Sequence, residues 1–384
     1  LVYNIFRNMK NFNLLQIVPS LESGGVEQGT IDVANFLGEK DLGSFIVSNG
    51  GNMLTLLNNK KTKHIKLPVH SKNILAMPFI ARKLNQTIKD NKINIVHVRS
   101  RAPAWFLQFI QDKKFKTVST FHNIYGSSNF FKKTYNKALS KVDHIVAISE
   151  FVRSKIIDTY KINKNKITVI NRGIDTKFLD PENIDVSKFA NFLSEFNITS
   201  EKKIILYPGR LTEWKGQINF LKIIESYKDD QIICYFVGDD KNKSYASKLI
   251  NEINKKGIRQ NCKVLGHLSK ENLKMMYKIA DIVISAPLTP EGFGRTISES
   301  LAMKKIILSY DYGGAKDQLA GLNTIYKISP NNNLELKNKI DKVLTLSNDY
   351  KNNLGSISRQ HVINNFSKEK MLEGYLSFYQ NTVL

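Results

Sequence analysis

The segment at residues 290–300, PEGFGRTISES, places two carboxylates around a glycine-rich turn. Its two glycines predict a tight loop, followed by a helix that begins near Arg295. Backbone amides of the loop and the positive end of the helix could together bind a phosphate group. The residues that would supply the loop amides are Gly292, Phe293 and Gly294. The segment therefore predicts an anion site beside two acidic side chains.

The two carboxylates, Glu291 and Glu299, need partners other than the phosphate, because like charges repel. A carboxylate can accept two hydrogen bonds from a vicinal diol. We therefore expect Glu291, in the loop, to bind a sugar, and Glu299, inside the helix, to bind a second diol such as a ribose. One diol on each side of a diphosphate describes a nucleotide sugar.

Two other loops carry chemistry that suits an anion. PGRLTEWKGQ places Arg210 and Lys215 after a strand-like run, where a planar guanidinium and a point charge could share a phosphate. Gly24 and Gly25 precede a helical pattern that starts near Val26, and the helix N-terminus there could also bind phosphate. A solvated loop in the first case and a simple turn in the second are the alternatives.

The elements that must position these loops alternate along the chain. Short apolar runs rich in β-branched residues are separated by helix-like segments, which is typical of parallel strands buried on both faces. The runs lie at residues 14–18, 44–47, 64–67, 94–98, 117–121, 144–148 and 167–170, and then at 203–209, 231–238, 262–266, 281–285 and 305–309. Two consecutive series predict an α/β protein with two doubly wound sheets, which bind ligands at the carboxyl ends of their strands.

The interval between the two series sets the domain boundaries. We predict an N-terminal domain at residues 1–175, a linker near 174–181 and a C-terminal domain at 182–365. The last helix-like stretch, about 366–384, could cross back onto the first domain.

Composition narrows the class of protein. A chain of 384 residues with 42% hydrophobic residues suits two globular domains, and no apolar run is long enough for a transmembrane helix. The first thirteen residues are too polar for a signal peptide, and two cysteines are too few for a disulfide framework, so we expect a cytoplasmic protein. The net charge of +23 favours an anionic membrane surface or phosphorylated ligands, or reflects a general bias toward lysine. No nucleic-acid recognition module is found, so nucleic acid is not expected as a partner.

Several motifs together resemble the group 1, or family 4, glycosyltransferases. GRLTEWKGQ and EGFGRTISES match that family's Arg-Lys pair and its E-x7-E motif. The match continues in SGGVE (23–27), TFHNIYG (120–126), VAISEFVRSKI (146–156), VINRGID (169–175) and GGAKDQL (313–319). The resemblance therefore covers nearly the whole chain in order, with departures at Arg172, Lys304-Lys305 and Asp317.

The resemblance implies the GT-B fold, with two Rossmann-like domains facing a central cleft. It implies a retaining, metal-independent hexosyltransferase that moves a sugar from a nucleotide diphosphate sugar to a saccharide or lipid-linked acceptor, as in cell-envelope glycan synthesis of the lipopolysaccharide type. Arg210 and Lys215 would neutralise the diphosphate, Glu291 would hold the sugar and Glu299 the ribose. Amides around Gly294 and Gly25 would contact the phosphates, and no cofactor is expected. His122 falls on the family's active-site histidine and would hold the transferred sugar.

The acceptor side is predicted from two basic regions. Arg99 and Arg101 follow an N-domain strand and could bind an anionic acceptor group, or serve only as surface charge. The segment 127–141, SSNFFKKTYNKALSK, mixes aromatic residues with lysines and could lie on the inner face of the cytoplasmic membrane, or be an ordinary solvated helix. Two other functions stay open: a sugar-nucleotide epimerase on the same fold, and a non-catalytic protein that binds membrane or polysaccharide.

Overall fold

The computed structural model describes residues 12–71, 73–111, 113–125, 130–199, 201–227, 231–239 and 243–383, without the side chains of residues 74, 130–133 and 243. The chain divides into two compact units. The first comprises residues 1–173 together with 369–384, and the second comprises residues 174–368. The division thus falls at the amino-terminal end of the segment in which the sequence places the linker.

The first unit is built around a parallel sheet. Its strands are β1 (Asn13–Ile17), β2 (Gly43–Ser48), β3 (Lys63–Lys66), β4 (Ile95–Val98), β5 (Lys116–Phe121), β6 (His144–Ala147) and β7 (Ile167–Val169). They lie in the order β3-β2-β1-β4-β5-β6-β7. Strands β2 and β3 therefore lie on one side of β1, and β4 to β7 lie on the other side. Leu14 and Ile17 of β1 are fully buried, as expected of a strand covered by helices on both faces.

The helices of the first unit follow its strands. They are α1 (Gly25–Glu39), α2 (Met77–Asp90), α3 (Arg101–Phe106), α4 (Phe130–Lys137) and α5 (Glu150–Tyr160). Ser149 caps α5, since its hydroxyl oxygen accepts a hydrogen bond from the Val152 amide at 3.1 Å. Helix α5 begins three residues after β6 and α3 begins three residues after β4, so the amino termini of these two helices lie near the carboxyl edge of the sheet, where ligands bind in such folds.

The second unit repeats this arrangement. Its strands are β8 (Lys203–Pro208), β9 (Ile232–Val237), β10 (Cys262–Gly266), β11 (Ile282–Ser285), β12 (Ile307–Tyr310) and β13 (Lys327–Ile328), in the parallel order β10-β9-β8-β11-β12-β13. Its helices are α6 (Val186–Glu195), α7 (Gln217–Ile224), α8 (Lys243–Lys255), α9 (Lys270–Ile279), α10 (Arg295–Ala302), α11 (Gly314–Gln318), α12 (Asn333–Thr345) and α13 (Asn348–Phe366). The predicted α/β class with two doubly wound sheets is confirmed.

The last helix, α14 (Lys368–Thr382), packs from residue 369 onward in the first unit. Tyr375, Leu376 and Tyr379 join a core cluster with Leu14 of β1 and Leu37 of α1. The N-terminal core is therefore completed by the C-terminal end of the chain. No helix within the described ranges is both long and apolar enough to cross a bilayer.

Candidate functional site

The second unit gathers its predicted site residues at the carboxyl ends of adjacent strands. Arg210 follows β8 and Glu291 follows β11, and these two strands are neighbours in the sheet. Strands β11 and β12 are also neighbours, so the loop after β12 meets the loop that contains Glu291. The strand order, and not closeness in sequence, brings these loops together.

Lys215 is held in place by its own backbone. It ends a short 3₁₀ turn, and the Tyr207 hydroxyl at the end of β8 donates a hydrogen bond to its carbonyl at 2.6 Å. The next residue, Gly216, has a φ of 81°, and a Cβ there would lie 2.5 Å from the carbonyl oxygen of Ala286. Only glycine suits that conformation and that close approach. The turn therefore directs Lys215 back across the end of the sheet.

The Lys215 side chain meets Glu291. Its Nζ lies 2.6 Å from Glu291 Oε1, and the two side chains are 12% and 17% exposed. The Nζ also lies 4.8 Å from the centre of the Trp214 ring, a cation–π contact. Two residues that the sequence assigned to the diphosphate and to the sugar are thus in direct contact. Arg210, in the same loop as Lys215, is exposed, and its carbonyl accepts a hydrogen bond from Gln217 Nε2 at 3.0 Å.

The glycine-rich loop at residues 291–294 is braced by the loop after β12. The Gly314 amide donates to the Glu291 carbonyl at 2.9 Å, and a Cβ on Gly314 would lie 2.5 Å from Phe293 Cα. Buried Gln318 donates through Nε2 to the Phe293 carbonyl and accepts through Oε1 from the Ser298 amide at 3.2 Å. This one side chain therefore joins the loop to the first turn of α10 and fixes where the loop amides point.

Helix α10 begins at Arg295, as the glycines predict, and Gly294 before it has a φ of 85°. Glu299 is 13% exposed and accepts a hydrogen bond from the Tyr277 hydroxyl at 2.9 Å. Its other oxygen lies 2.9 Å from a guanidinium nitrogen of Arg295, one turn earlier in the helix. Burial, followed by the negative charge of Glu299, holds the pKa of Tyr277 well above its ordinary value. The tyrosine therefore stays protonated and donates, which orients the carboxylate.

The first unit presents its own group of site residues. Helix α1 begins at Gly25, and Gly24 before it has a φ of 128°, a conformation that favours glycine. Arg172, after β7, donates from one guanidinium nitrogen to the Gly25 carbonyl at 2.5 Å. Its other terminal nitrogen lies 3.0 Å from His122 Nδ1, after β5. Arg172 thus links the glycine turn to the histidine.

His122 has an environment unlike that of a surface histidine. Its Nε2 atom is shielded from solvent and has no hydrogen-bond partner among the residues that the structure describes. Burial, followed by the positive charges of Arg172 and Arg99, holds the pKa of His122 well below its ordinary value. The ring is therefore neutral near pH 7.

Two family models match this chain in succession. The model described as Glycosyltransferase Family 4 matches residues 23–178, and the model described as Glycosyl transferases group 1 matches residues 189–361. A glycosyltransferase from Rickettsia africae ESF-5, known from its crystal structure, is 34% identical, with 97% of this chain and 99% of that chain covered and a TM-score of 0.87. This chain belongs to the group 1 (family 4) glycosyltransferases.

More distant proteins resemble this glycosyltransferase in fold or in sequence. The Anabaena protein Alr3699/HepE, solved in complex with UDP-glucose, has a TM-score of 0.79 and 18% identity, with 97% of this chain and 100% of that chain covered. The capsular polysaccharide biosynthesis glycosyltransferase CapM of Staphylococcus aureus is 24% identical in an alignment that covers 98% of each chain. The predicted GT-B fold is confirmed by the two solved structures.

The acceptor role expected of Arg99 in this glycosyltransferase is not supported by the contacts of that side chain. Arg99 is 2% exposed, and its guanidinium donates to Gln16 Oε1 at 2.9 Å and to the Tyr375 hydroxyl at 2.9 Å. The guanidinium carbon also lies 4.7 Å from the centre of the Tyr375 ring. These contacts join Gln16 of β1 to Tyr375 of α14, so Arg99 holds helix α14 against the sheet. All of them lie within the first unit.

Arg101, the second residue expected to bind the acceptor, is partly exposed. It donates to Asn136 Oδ1 at 3.0 Å, and its guanidinium carbon lies 4.4 Å from the centre of the Tyr125 ring. The centre of the Tyr135 ring, on α4, lies 5.7 Å from the same carbon. These contacts leave the acceptor role of Arg101 a prediction.

The basic segment of the glycosyltransferase at 127–141 is described only in part. Residues 127–129 lie outside the described residues, and from 130 to 133 only the backbone is described. Tyr135 stacks against Trp105, with ring centres 6.1 Å apart, whereas Lys137 and Lys141 are exposed. At least one of its aromatic residues, Tyr135, therefore packs against a neighbouring helix of the unit.

Sequence reasoning assigned no role to four residues that position the site: Tyr207, Tyr277, Gln318 and Arg172. Gln318 lies in a stretch that matches the family, GGAKDQL, and Arg172 stands at a departure from it. The sequence could therefore have drawn attention to both residues. The two tyrosines carry no such signal: Tyr207 lies in an apolar strand, and the partner of Tyr277 is 22 residues away. In the part of the chain that the structure describes, no group of three or more His, Cys, Asp or Glu side chains could hold a metal ion.

Proposed function

We propose that this glycosyltransferase moves a hexosyl group from a nucleotide diphosphate sugar to an acceptor hydroxyl with retention of the anomeric configuration. The observation that carries the proposal is the contact of Lys215 with Glu291 beside the exposed Arg210. Two cations and a carboxylate on adjacent loops suit a ligand that has a diphosphate next to a sugar. The neighbour solved with UDP-glucose supports a nucleotide sugar as that ligand.

The residues of the second unit would then divide the donor among them. A diphosphate would compete with Glu291 for Lys215, and the sugar hydroxyls would replace the ammonium group on the carboxylate. Arg210 and Lys215 would stabilise the negative charge that develops on the diphosphate as the bond between sugar and phosphate breaks. Glu299, oriented by Tyr277, would accept hydrogen bonds from the ribose, and the amides of residues 292–294 would bind a phosphate.

We further propose that the acceptor is a saccharide or a lipid-linked saccharide used in cell-envelope glycan synthesis. The capsular polysaccharide relative supports this class of acceptor, and the net charge of +23 suits work at the inner face of an anionic membrane. The reaction would need no metal, because Arg210 and Lys215 would supply the positive charge.

A panel of UDP-, GDP- and ADP-sugars tests the donor. Binding to the folded state raises the melting temperature, so the true donor is the sugar nucleotide that stabilises the protein most. With that donor, the purified protein should slowly release a nucleoside diphosphate, and EDTA should not stop the release. With an acceptor, NMR should show a product that keeps the configuration of the donor.

Each competing function has its own outcome in this experiment. An epimerised sugar nucleotide without nucleoside diphosphate would identify an epimerase, and binding without any reaction would identify a non-catalytic protein. A product of inverted configuration would overturn the retaining mechanism.

A further inference from the structure

We propose that Arg172 is a positioning residue that fixes His122 in the neutral tautomer with its proton on Nε2, so that the ring donates a hydrogen bond to an oxygen of the donor sugar. The identity of that oxygen rests on the proposed function. The tautomer itself rests only on the geometry of the first unit.

The direction of the contact between Arg172 and His122 decides the tautomer. A guanidinium has five N–H donors and no acceptor, and it stays charged at every pH at which the protein is folded. The guanidinium nitrogen 3.0 Å from His122 Nδ1 must therefore donate, and Nδ1 must offer its lone pair. In a neutral imidazole the proton then lies on Nε2.

The guanidinium is fixed by a second contact. Its other terminal nitrogen donates to the Gly25 carbonyl at 2.5 Å, at the start of α1. Two anchors on a planar group restrict its rotation, so Arg172 presents the same N–H to His122. This residue stands where the family resemblance shows a departure, and a shorter uncharged side chain could not make both contacts.

The Nε2–H group has no acceptor among the described residues, although it is shielded from solvent. A buried donor without an acceptor is destabilising, so its presence in a native protein needs an explanation such as a functional role. His122 lies after β5, at the edge of the sheet where ligands bind in this class of fold. A ligand oxygen is therefore the acceptor that this N–H suits.

The charged and titratable groups around His122 act in the same direction. Arg172 after β7 and Arg99 after β4 are both positive, and His97 on β4 and Tyr125 in the same loop are held neutral by burial. Burial and the two guanidinium groups keep the pKa of His122 well below its ordinary value. His122 is therefore neutral near pH 7 and can donate a hydrogen bond through Nε2.

Long-range ¹H–¹⁵N correlation spectra of protein labelled at histidine nitrogens test the tautomer without any donor. A His122→Gln spectrum identifies the His122 signals among those of the seven histidines. We expect wild-type His122 to be neutral with its proton on Nε2 from pH 6 to pH 8. Arg172→Asn should populate the Nδ1–H tautomer or raise the pKa of His122 by about one unit or more.

Kinetics and two further variants complete the experiment. Arg172→Asn should lower kcat for donor hydrolysis at pH 7 by about 10- to 100-fold, as expected when a group that orients a histidine is removed. Arg172→Lys keeps a cation that can only donate hydrogen bonds, so it should preserve the tautomer of His122. It should also retain more activity than Arg172→Asn. Arg82→Asn, at an exposed position of α2, is the matched control and should change neither readout.

A wild-type His122 with its proton on Nδ1, or one that is charged at pH 7, would overturn the proposal. An Arg172→Asn spectrum identical to that of the wild type would overturn the positioning role. If the expected tautomer is found but no sugar nucleotide releases a nucleoside diphosphate, the tautomer assignment is supported and the proposed function fails.

Discussion

Lys215 Nζ and Glu291 Oε1 lie 2.6 Å apart and join the loops that follow β8 and β11. Both side chains are mostly shielded from water, so their attraction is offset by the loss of hydration of two charges. A pair of this kind contributes little net stability. Its position at the carboxyl edge of the sheet is better explained by the ligand that the two residues would share.

The first prediction concerns the diphosphate. Arg210→Ala and Lys215→Ala should each lower kcat by about 10²–10³-fold, because each removes a fixed positive charge from the site where negative charge develops. Turnover at saturating donor measures this effect. Lys222→Ala, at an exposed position on α7, is the control and should keep full activity.

The fold should survive both changes. Lys215→Ala leaves Glu291 without its cation, so we expect the free energy of unfolding to fall by about 1–3 kcal/mol. If either variant retains more than about a tenth of wild-type kcat, the assignment of Arg210 and Lys215 to the diphosphate is wrong.

The second prediction concerns the ribose. Glu299→Ala should mainly raise the donor KM, because contacts to the ribose bind the ground state and the transition state alike. Tyr277→Phe removes the hydrogen bond that orients Glu299, so it should raise the same KM by a smaller factor. A fall in kcat with an unchanged KM in either variant would contradict the ribose role.

The third prediction concerns acid stability of the first unit. His97 is fully buried, with Nδ1 2.6 Å from the Tyr379 hydroxyl and Nε2 2.7 Å from Thr120 Oγ1. Burial, then Arg99 and His122, hold its pKa well below the ordinary 6.5. As pH falls below about 6.5, the unfolded chain binds a proton that the folded state does not, so the free energy of unfolding falls.

Melting temperatures between pH 7.5 and pH 5 measure this loss. His97→Gln cannot take up the proton, so its melting temperature should fall less steeply with pH than that of the wild type. His122 contributes to the same window, so some pH dependence should persist. Equal slopes in the two proteins would show that protonation of His97 does not cause the loss of stability at acid pH.

The fourth prediction concerns a lysine that no site uses. Burial, then the charge of Lys278, lower the pKa of Lys305 to about 8. Below that pH the folded state carries a poorly hydrated charge, so Lys305→Met should raise the free energy of unfolding by about 1–3 kcal/mol at pH 7. Between about pH 8 and 10.5 the folded wild type loses the proton while the unfolded chain keeps it, so wild-type stability rises.

Urea unfolding at pH 7 and at pH 9.5 measures both effects. The advantage of Lys305→Met should shrink at the higher pH, and Lys188→Met, at an exposed position on α6, should show no advantage at either. If Lys305→Met is more stable than the wild type by the same amount at both pH values, its extra stability comes from packing and not from the removed charge.

Much of the fold follows from the sequence because each parallel strand is a short apolar run of its own. Every predicted strand is present, with ends shifted by two residues or fewer; for example, the run at 305–309 forms β12 at Ile307–Tyr310. Strand β13 (Lys327–Ile328) was missed, because two residues after a polar turn carry no periodic signal.

The site was less predictable, because partners at a sheet edge are distant in sequence. The glycines near Gly294 predicted the helix start, and strand adjacency then placed Lys215 beside Glu291, 76 residues away. The burial of Arg99 was not predictable, because its contact with Tyr375 spans 276 residues. From the sequence, a basic residue at a strand end is expected to bind a ligand. Only the packing of helix α14 shows that Arg99 is buried against Tyr375.

The last prediction concerns the membrane. Lys141 lines an open depression of about 560 Å³ in the first unit, together with three other exposed lysines near the start of β5. The three are Lys113, Lys114 and Lys116. Each basic residue near an anionic surface adds about 1 kcal/mol of attraction, which salt screens over roughly 8–10 Å. We therefore expect the protein to co-sediment with anionic but not with neutral vesicles, and salt should reverse the binding.

Three variants of equal charge change locate the binding surface. In each, four lysines become glutamine: Lys132, Lys133, Lys137 and Lys141 in the first; Lys113, Lys114, Lys116 and Lys141 in the second; Lys188, Lys222, Lys255 and Lys270 in the third. The first two should release the protein from vesicles while donor hydrolysis persists, and the third, in the second unit, should not. If all three weaken binding equally, the attraction comes from net charge alone, and the segment at 127–141 is an ordinary solvated helix.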